Sequence, residues 1–222
     1  MTRREQDMIR VLLVDDHALV RTGFRMILGR EADIEIVGEA ASAEEGLQLA
    51  RALKPDVVLM DLQLPGVSGL EATERIVRGD HGTRVIVLTA RAESPFPRRL
   101  LEAGASGYLT KAGPAEELVQ AVRSVARGGR FLGADVARAL ALENLPGAGG
   151  GTPFAQLSSR EIEVAMMLAR GEGLADIARR LNLSAKTVST YKYRLYEKLG
   201  IDNEVALAHL AMQHGLIGPG AS

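Results

Sequence analysis

The chain is 222 residues long, which suits two domains and a connector, and its 46% hydrophobic and 25% charged residues exclude wholesale disorder. It has no cysteine, which excludes disulfides, thiolate metal sites and cysteine nucleophiles; no run of about 18 apolar residues marks a membrane span, and the start of the chain is too weakly apolar for a secretory leader, so a cytoplasmic protein with no membrane partner is expected. The net charge of -1 excludes a general polycation, yet residues 179–198 hold six basic side chains against the single acid Glu197, a candidate phosphate-binding surface.

Five runs rich in Val, Ile and Leu open the chain, at 9–14, 34–37, 57–60, 85–88 and 107–109. Amphipathic stretches of helical length follow at 18–28, 43–53, 69–77, 97–103 and 115–126. Five strand–helix repeats with strands apolar on both faces predict an α/β domain over 8–127: a (βα)5 doubly wound parallel sheet covered by helices on each side. Residues 128–155 are expected to be a flexible linker with a short helix at 131–142, because residues 146–153 contain four Gly and two Pro. A second, all-α domain of four helices is expected over 156–217. Ser158 or Ser159 caps the first of these (162–169), Gly171 and Gly173 end it, and short helices at 174–181, 185–199 and 204–214 complete the set.

In a doubly wound sheet the working residues lie just past the carboxyl ends of the strands. Asp15 and Asp16 follow the first run, Asp61 the third, Thr89 the fourth, and Lys111 lies just past the fifth. Three converging carboxylates repel one another unless a hard divalent cation, Mg2+, takes their oxygens together with a backbone carbonyl and waters. Such an ion screens an incoming phosphate and leaves one carboxylate free to attack phosphorus, while the Thr89 hydroxyl and the Lys111 ammonium face the phosphoryl oxygens. Any one of these carboxylates is read equally well as a solvated loop residue. Five polar residues in register at strand ends are not. His17, beside the acidic pair, reads as a rim or helix-start residue.

In the carboxyl-terminal half, two helices separated by a turn of three to four residues have helix-turn-helix spacing. Val188, Leu195 and Leu199 share one face of the third helix and are expected to pack on Ile177 and Leu181. The other face carries Lys186, Ser189, Thr190 and Tyr193. Ser189, Thr190 and Tyr193 suit base edges, whereas Lys186, Thr187, Tyr191, Lys192 and Arg194 suit phosphates.

The segments MIRVLLVDDHALVRTG, PDVVLMDLQLPGVSGLEAT, SPFPRRLLEAGASGYLTK and KTVSTYKYRLYEKL resemble a response-regulator receiver joined to a LuxR-type helix-turn-helix. Nearly the whole chain is similar to the NarL/FixJ class and, within it, to the GacA/UvrY branch. The resemblance implies a two-component response regulator: Asp61 accepts phosphate from a sensor (hybrid) histidine kinase, and Asp15, Asp16, Asp61 and the backbone carbonyl of Gln63 hold Mg2+. It also implies that Thr89 and Tyr108 act as the switch, and that the unphosphorylated receiver covers the recognition helix. The further implications are promoter DNA as partner, a homodimer formed through the last helix, and control of small regulatory RNA genes and of virulence or secondary-metabolism genes. Lys111 is followed by Ala112, where many receivers have proline. An enzyme turning over a small phosphorylated substrate through Asp61 would instead need a substrate pocket and a further acid–base residue, neither of which is evident. A constitutive DNA-binding protein with a vestigial pocket would not need all five pocket residues.

Overall fold

The computed structural model describes residues 8–62, 64, 67, 69–79, 82–89, 97–143, 153–214 and 216–217. They divide into two compact units, one running to Leu142 and the other from Glu143 onward.

The first unit follows the expected alternation: β1 (Ile9–Val14), α1 (Ala18–Leu28), β2 (Ile34–Ala40), α2 (Ala43–Leu53), β3 (Val57–Asp61), α3 (Gly69–Arg78), β4 (Arg84–Thr89), α4 (Pro97–Glu102), β5 (Gly107–Thr110) and α5 (Ala115–Ala126). The strands are parallel in the order β2-β1-β3-β4-β5, so the chain reverses direction across the sheet between β1 and its neighbours β2 and β3. Val11, Leu13, Val57, Leu59, Ile86 and Leu88 are buried from the strands against α1 and α5, and α2 and α3 pack on each other beside the sheet. Side chains buried on both faces of the central strands explain why these runs show no alternation.

Two elements depart from expectation. β2 runs to Ala40, past Gly38, because the ladder shifts by one residue there: Val11 pairs with Ile36 but Leu12 with Gly38. A bulge with glycine breaks a sequence pattern without breaking the strand, and a side chain at Gly38 would meet the Leu53 and Leu12 methyls at 2.9 and 3.2 Å. The sheet also has a sixth strand, β6 (Phe131–Leu132), parallel to β5, followed by helix α6 (Ala134–Glu143). The predicted helix at 131–142 therefore begins only after Gly133, whose N–H donates to the Tyr108 carbonyl. Two residues carry no periodicity, and only the free edge of β5 makes them a strand.

The second unit comprises a 3-10 turn (Pro153–Gln156), α7 (Ser159–Ala169), α8 (Leu174–Arg180), α9 (Ala185–Leu199) and α10 (Glu204–Gln213). Ser158 caps α7 in a full capping box with Glu161, and Ser184 and Asn203 cap α9 and α10. Phe154, Ile162, Leu168, Ile177, Leu195 and Leu207 form its core. Asn182, at φ 52°, takes the left-handed turn between α8 and α9. No helix among the described residues is long and apolar enough to cross a membrane.

Candidate functional site

The β1–β3 pairing brings the acidic residues together. Val14 lies opposite Met60, so the next residue of each strand, Asp15 and Asp61, meets the other at the carboxyl edge. Both are buried, at 2% and 1% exposure. Lys111, just past β5, reaches across with its Nζ 2.7 Å from Asp15 Oδ2 and 2.8 Å from Asp61 Oδ2. Burial works against the Lys111 charge, but hydrogen bonds to the two carboxylates outweigh it and hold the ammonium above its ordinary value of 10.5. Asp16 is more open, with its side chain 34% exposed. Three carboxylates against one ammonium leave a formal charge of about -2, which one divalent cation balances with oxygen ligands. The donor set therefore fits a hard ion.

Backbone bonds knit the strand ends into one rim. The Leu62 N–H donates to the Leu88 carbonyl at 3.0 Å and the Lys111 N–H to the Thr89 carbonyl at 2.7 Å. Thr89 ends β4, one residue beyond the partner of Asp61, and is 4% exposed. Tyr108 on β5 is fully buried. Gly69 opens α3 directly against the pocket floor: a methyl group there would lie 1.9 Å from the Asp61 carbonyl oxygen.

In the second unit, Lys186, Ser189, Thr190, Tyr193 and Arg194 are exposed on α9, Tyr193 by 72%. On its other face Val188 and Leu195 are fully buried and Leu199 is half-buried, and α9 packs on α8, which carries the buried Ile177. Three of the expected DNA-facing residues also have partners within the unit. Thr187 Oγ1 shares a hydrogen bond with Ser184, and Thr190 Oγ1 donates to the Lys186 carbonyl. Lys192 Nζ pairs with Glu204 of α10 at 2.7 Å and lies 5.5 Å from the centre of the Tyr196 ring. The Glu204 hydrogen bond holds Lys192 above its ordinary value.

Two family models match this chain, the response regulator receiver domain over residues 11–123 and the bacterial regulatory proteins of the luxR family over residues 155–211. Response regulator GacA of Pseudomonas aeruginosa is 48% identical over 210 residues, 95% of this chain and 98% of that protein. The chain belongs to the LuxR-type response regulators. Response regulator UvrY of Escherichia coli O6:H1 is 46% identical over 94% of this chain and 96% of its own. A solved structure of RcsB from Salmonella enterica serovar Typhimurium, bound to promoter rprA with the phosphomimetic BeF3-, has a TM-score of 0.69 and 27% identity, covering 91% of this chain and 98% of that one. This response regulator is accordingly a two-component, DNA-binding transcriptional regulator, of a family that is not one of classical enzymes.

Of the residues expected at the receiver pocket, Asp15, Asp16, Asp61 and Lys111 converge, Thr89 ends the neighbouring strand and Tyr108 lies buried on β5. Gln63 lies outside the described residues. Sequence reasoning missed a second layer. Arg21 Nη1 donates to the Asp15 carbonyl at 2.6 Å, and its Nε lies 3.4 Å from Glu39, which also accepts from Arg25 at 3.0 Å. Glu39 sits near the end of β2, where strand-end logic would have found it had the strand not been expected to stop at Val37. Gly69 gave no signal at all, since its function is to lack an atom.

Proposed function

We propose that Asp61 of this response regulator is its phosphoacceptor and that the exposed face of α9 is its DNA-reading surface. The observation that carries the reading is Lys111 bridging two buried carboxylates, with a third beside them, at the carboxyl edge of β1 and β3.

A carboxylate oxygen of Asp61 attacks the phosphorus of a phosphohistidine on a sensor (hybrid) kinase. The phosphorus–nitrogen bond breaks, its electron pair stays with the imidazole, and an acyl phosphate forms on Asp61. Asp15, Asp16 and Asp61, with the Gln63 carbonyl, would hold Mg2+, which would supply charge neutralisation at the phosphoryl oxygens. Lys111 turns from its two carboxylates to a phosphoryl oxygen, and the Thr89 hydroxyl donates to another. Tyr108 and Thr89 form the switch that relays the change. On α9, Ser189, Thr190 and Tyr193 read base edges, and Lys186, Thr187, Tyr191, Lys192 and Arg194 set register on phosphates. Lys192 must leave Glu204 to do so. The exposed Val205 and Met212, seven residues apart on α10, offer a homodimer surface when the protein is phosphorylated or on DNA. The targets are promoters of small regulatory RNA genes and of virulence or secondary-metabolism genes, as in the GacA/UvrY branch, and the setting is the cytoplasm.

Footprinting of promoter DNA with and without beryllofluoride, on wild type and Asp61→Ala, tests this. The expected result is protection by wild type that strengthens with beryllofluoride and a variant that does not respond. Equal binding by both proteins in both conditions would overturn the role of Asp61.

A further inference from the structure

We propose that His17 is a ligand of the divalent-ion pocket and that its imidazole biases the pocket toward first-row transition ions over Mg2+. The inference rests on the reading of Asp15, Asp16 and Asp61 as that pocket. His17 enters it from the solvent side. Its Nδ1 lies 2.8 Å from Asp16 Oδ1 and 3.3 Å from Asp15 Oδ1, and the backbone N–H of His17 donates to Asp15 Oδ1 at 2.8 Å, turning the residue back over the acids. The ring is 65% exposed, so no core packing holds it away.

One donor atom from each of Asp15, Asp16, His17 and Asp61 can be chosen so that all lie within 4.8 Å of one another. In an octahedral shell with bonds of about 2.1 Å, adjacent donors stand about 3.0 Å apart and opposite ones about 4.2 Å. The His17 spacings to Asp15 and Asp16 are those of adjacent ligands, and the whole set closes on an ion with a contraction of roughly half an ångström. A pocket of carboxylates, carbonyl and water suits Mg2+, which retains water readily. An imidazole nitrogen adds little for that ion and much for Co2+, Ni2+ or Zn2+. The alternative is that His17 only orients Asp16 by a hydrogen bond, and that role would strengthen binding of every ion alike.

The test is calorimetric titration of the full chain with Mg2+ and with Co2+, for wild type, His17→Ala and His17→Gln, with proton NMR of the Co2+-loaded proteins. Wild type should bind Co2+ more tightly than Mg2+ and show a paramagnetically shifted ring N–H signal that excess Mg2+ removes. Both variants should lack that signal, and their ratio of Co2+ to Mg2+ affinity should fall by about ten-fold or more. Mg2+ binding with an unchanged ratio, or a Mg2+-sensitive signal persisting without His17, overturns the assignment of His17 alone. Wild type that binds neither ion overturns the pocket as well.

Discussion

The acidic pocket and the exposed face of α9 are built on opposite principles. The pocket gathers residues from three strand ends, Asp15, Asp61 and Lys111, 96 positions apart at the extremes, and buries two of the charges. The α9 face draws on one stretch of helix and leaves Lys186, Ser189, Thr190, Tyr193 and Arg194 in water. Charge in the first place is therefore coupled to folding, because each buried group depends on its partner. In the second, the exposed charges of Lys186 and Arg194 are nearly independent of folding, and only Lys192 is tied to a neighbour, Glu204.

Removing the Lys111 ammonium is the strongest way to break the contrast. Lys111→Met leaves Asp15 and Asp61 buried without their counter-charge, and loss of one partner of such a pair costs about 3–5 kcal/mol. Urea denaturation should show that loss in the receiver unit, with part of it restored by Mg2+. A variant as stable as wild type in the absence of divalent ions would mean that the pocket charges are solvated after all.

A smaller effect is expected where the second unit does bury a charge. Glu161 is 3% exposed and caps α7 from within; burial opposes its charge, but hydrogen bonds from Lys198 and Ser158 prevail and hold the carboxyl below its ordinary value of 4.5. A depressed folded value means stabilisation that is present above the unfolded value and lost as pH falls through the folded one. Thermal melts of this unit should therefore lose stability below pH 4.5. Glu161→Gln should be less stable at neutral pH by about 1 kcal/mol and show a flatter profile in that window. Parallel acid profiles for the two proteins would remove Glu161 from the account.

Lys186→Ala should lie at the other extreme. The side chain is exposed, so stability should change by no more than about 0.5 kcal/mol. The slope of log affinity against log salt for promoter DNA should fall by about one, the signature of a lost phosphate contact. An unchanged slope would exclude Lys186 from the proposed DNA-reading face.

Much of this was legible in the sequence alone, for reasons that differ by residue. The strands β1, β3 and β4 announce themselves because burial on both faces leaves continuous apolar runs, and Ser158 and Ser184 announce α7 and α9 because capping is a local hydrogen bond. The composition of the α9 face is likewise local: Val188 and Leu195 go inward and Lys186, Ser189 and Tyr193 outward by helical spacing alone. What tertiary structure decided is everything that depends on a neighbour distant in sequence. Phe131 and Leu132 become β6 only because β5 offers an open edge, and Gly38 stays in β2 only because a bulge absorbs it. Arg21 reaches the Asp15 carbonyl, Glu39 steadies Arg21, and Gly69 makes room for the backbone of Asp61. Chain order determined which residue types stand at the strand ends. Strand order brought Lys111 within 3 Å of both Asp15 and Asp61, because hydrogen-bond pairing across the sheet, which no local pattern encodes, sets which ends become neighbours.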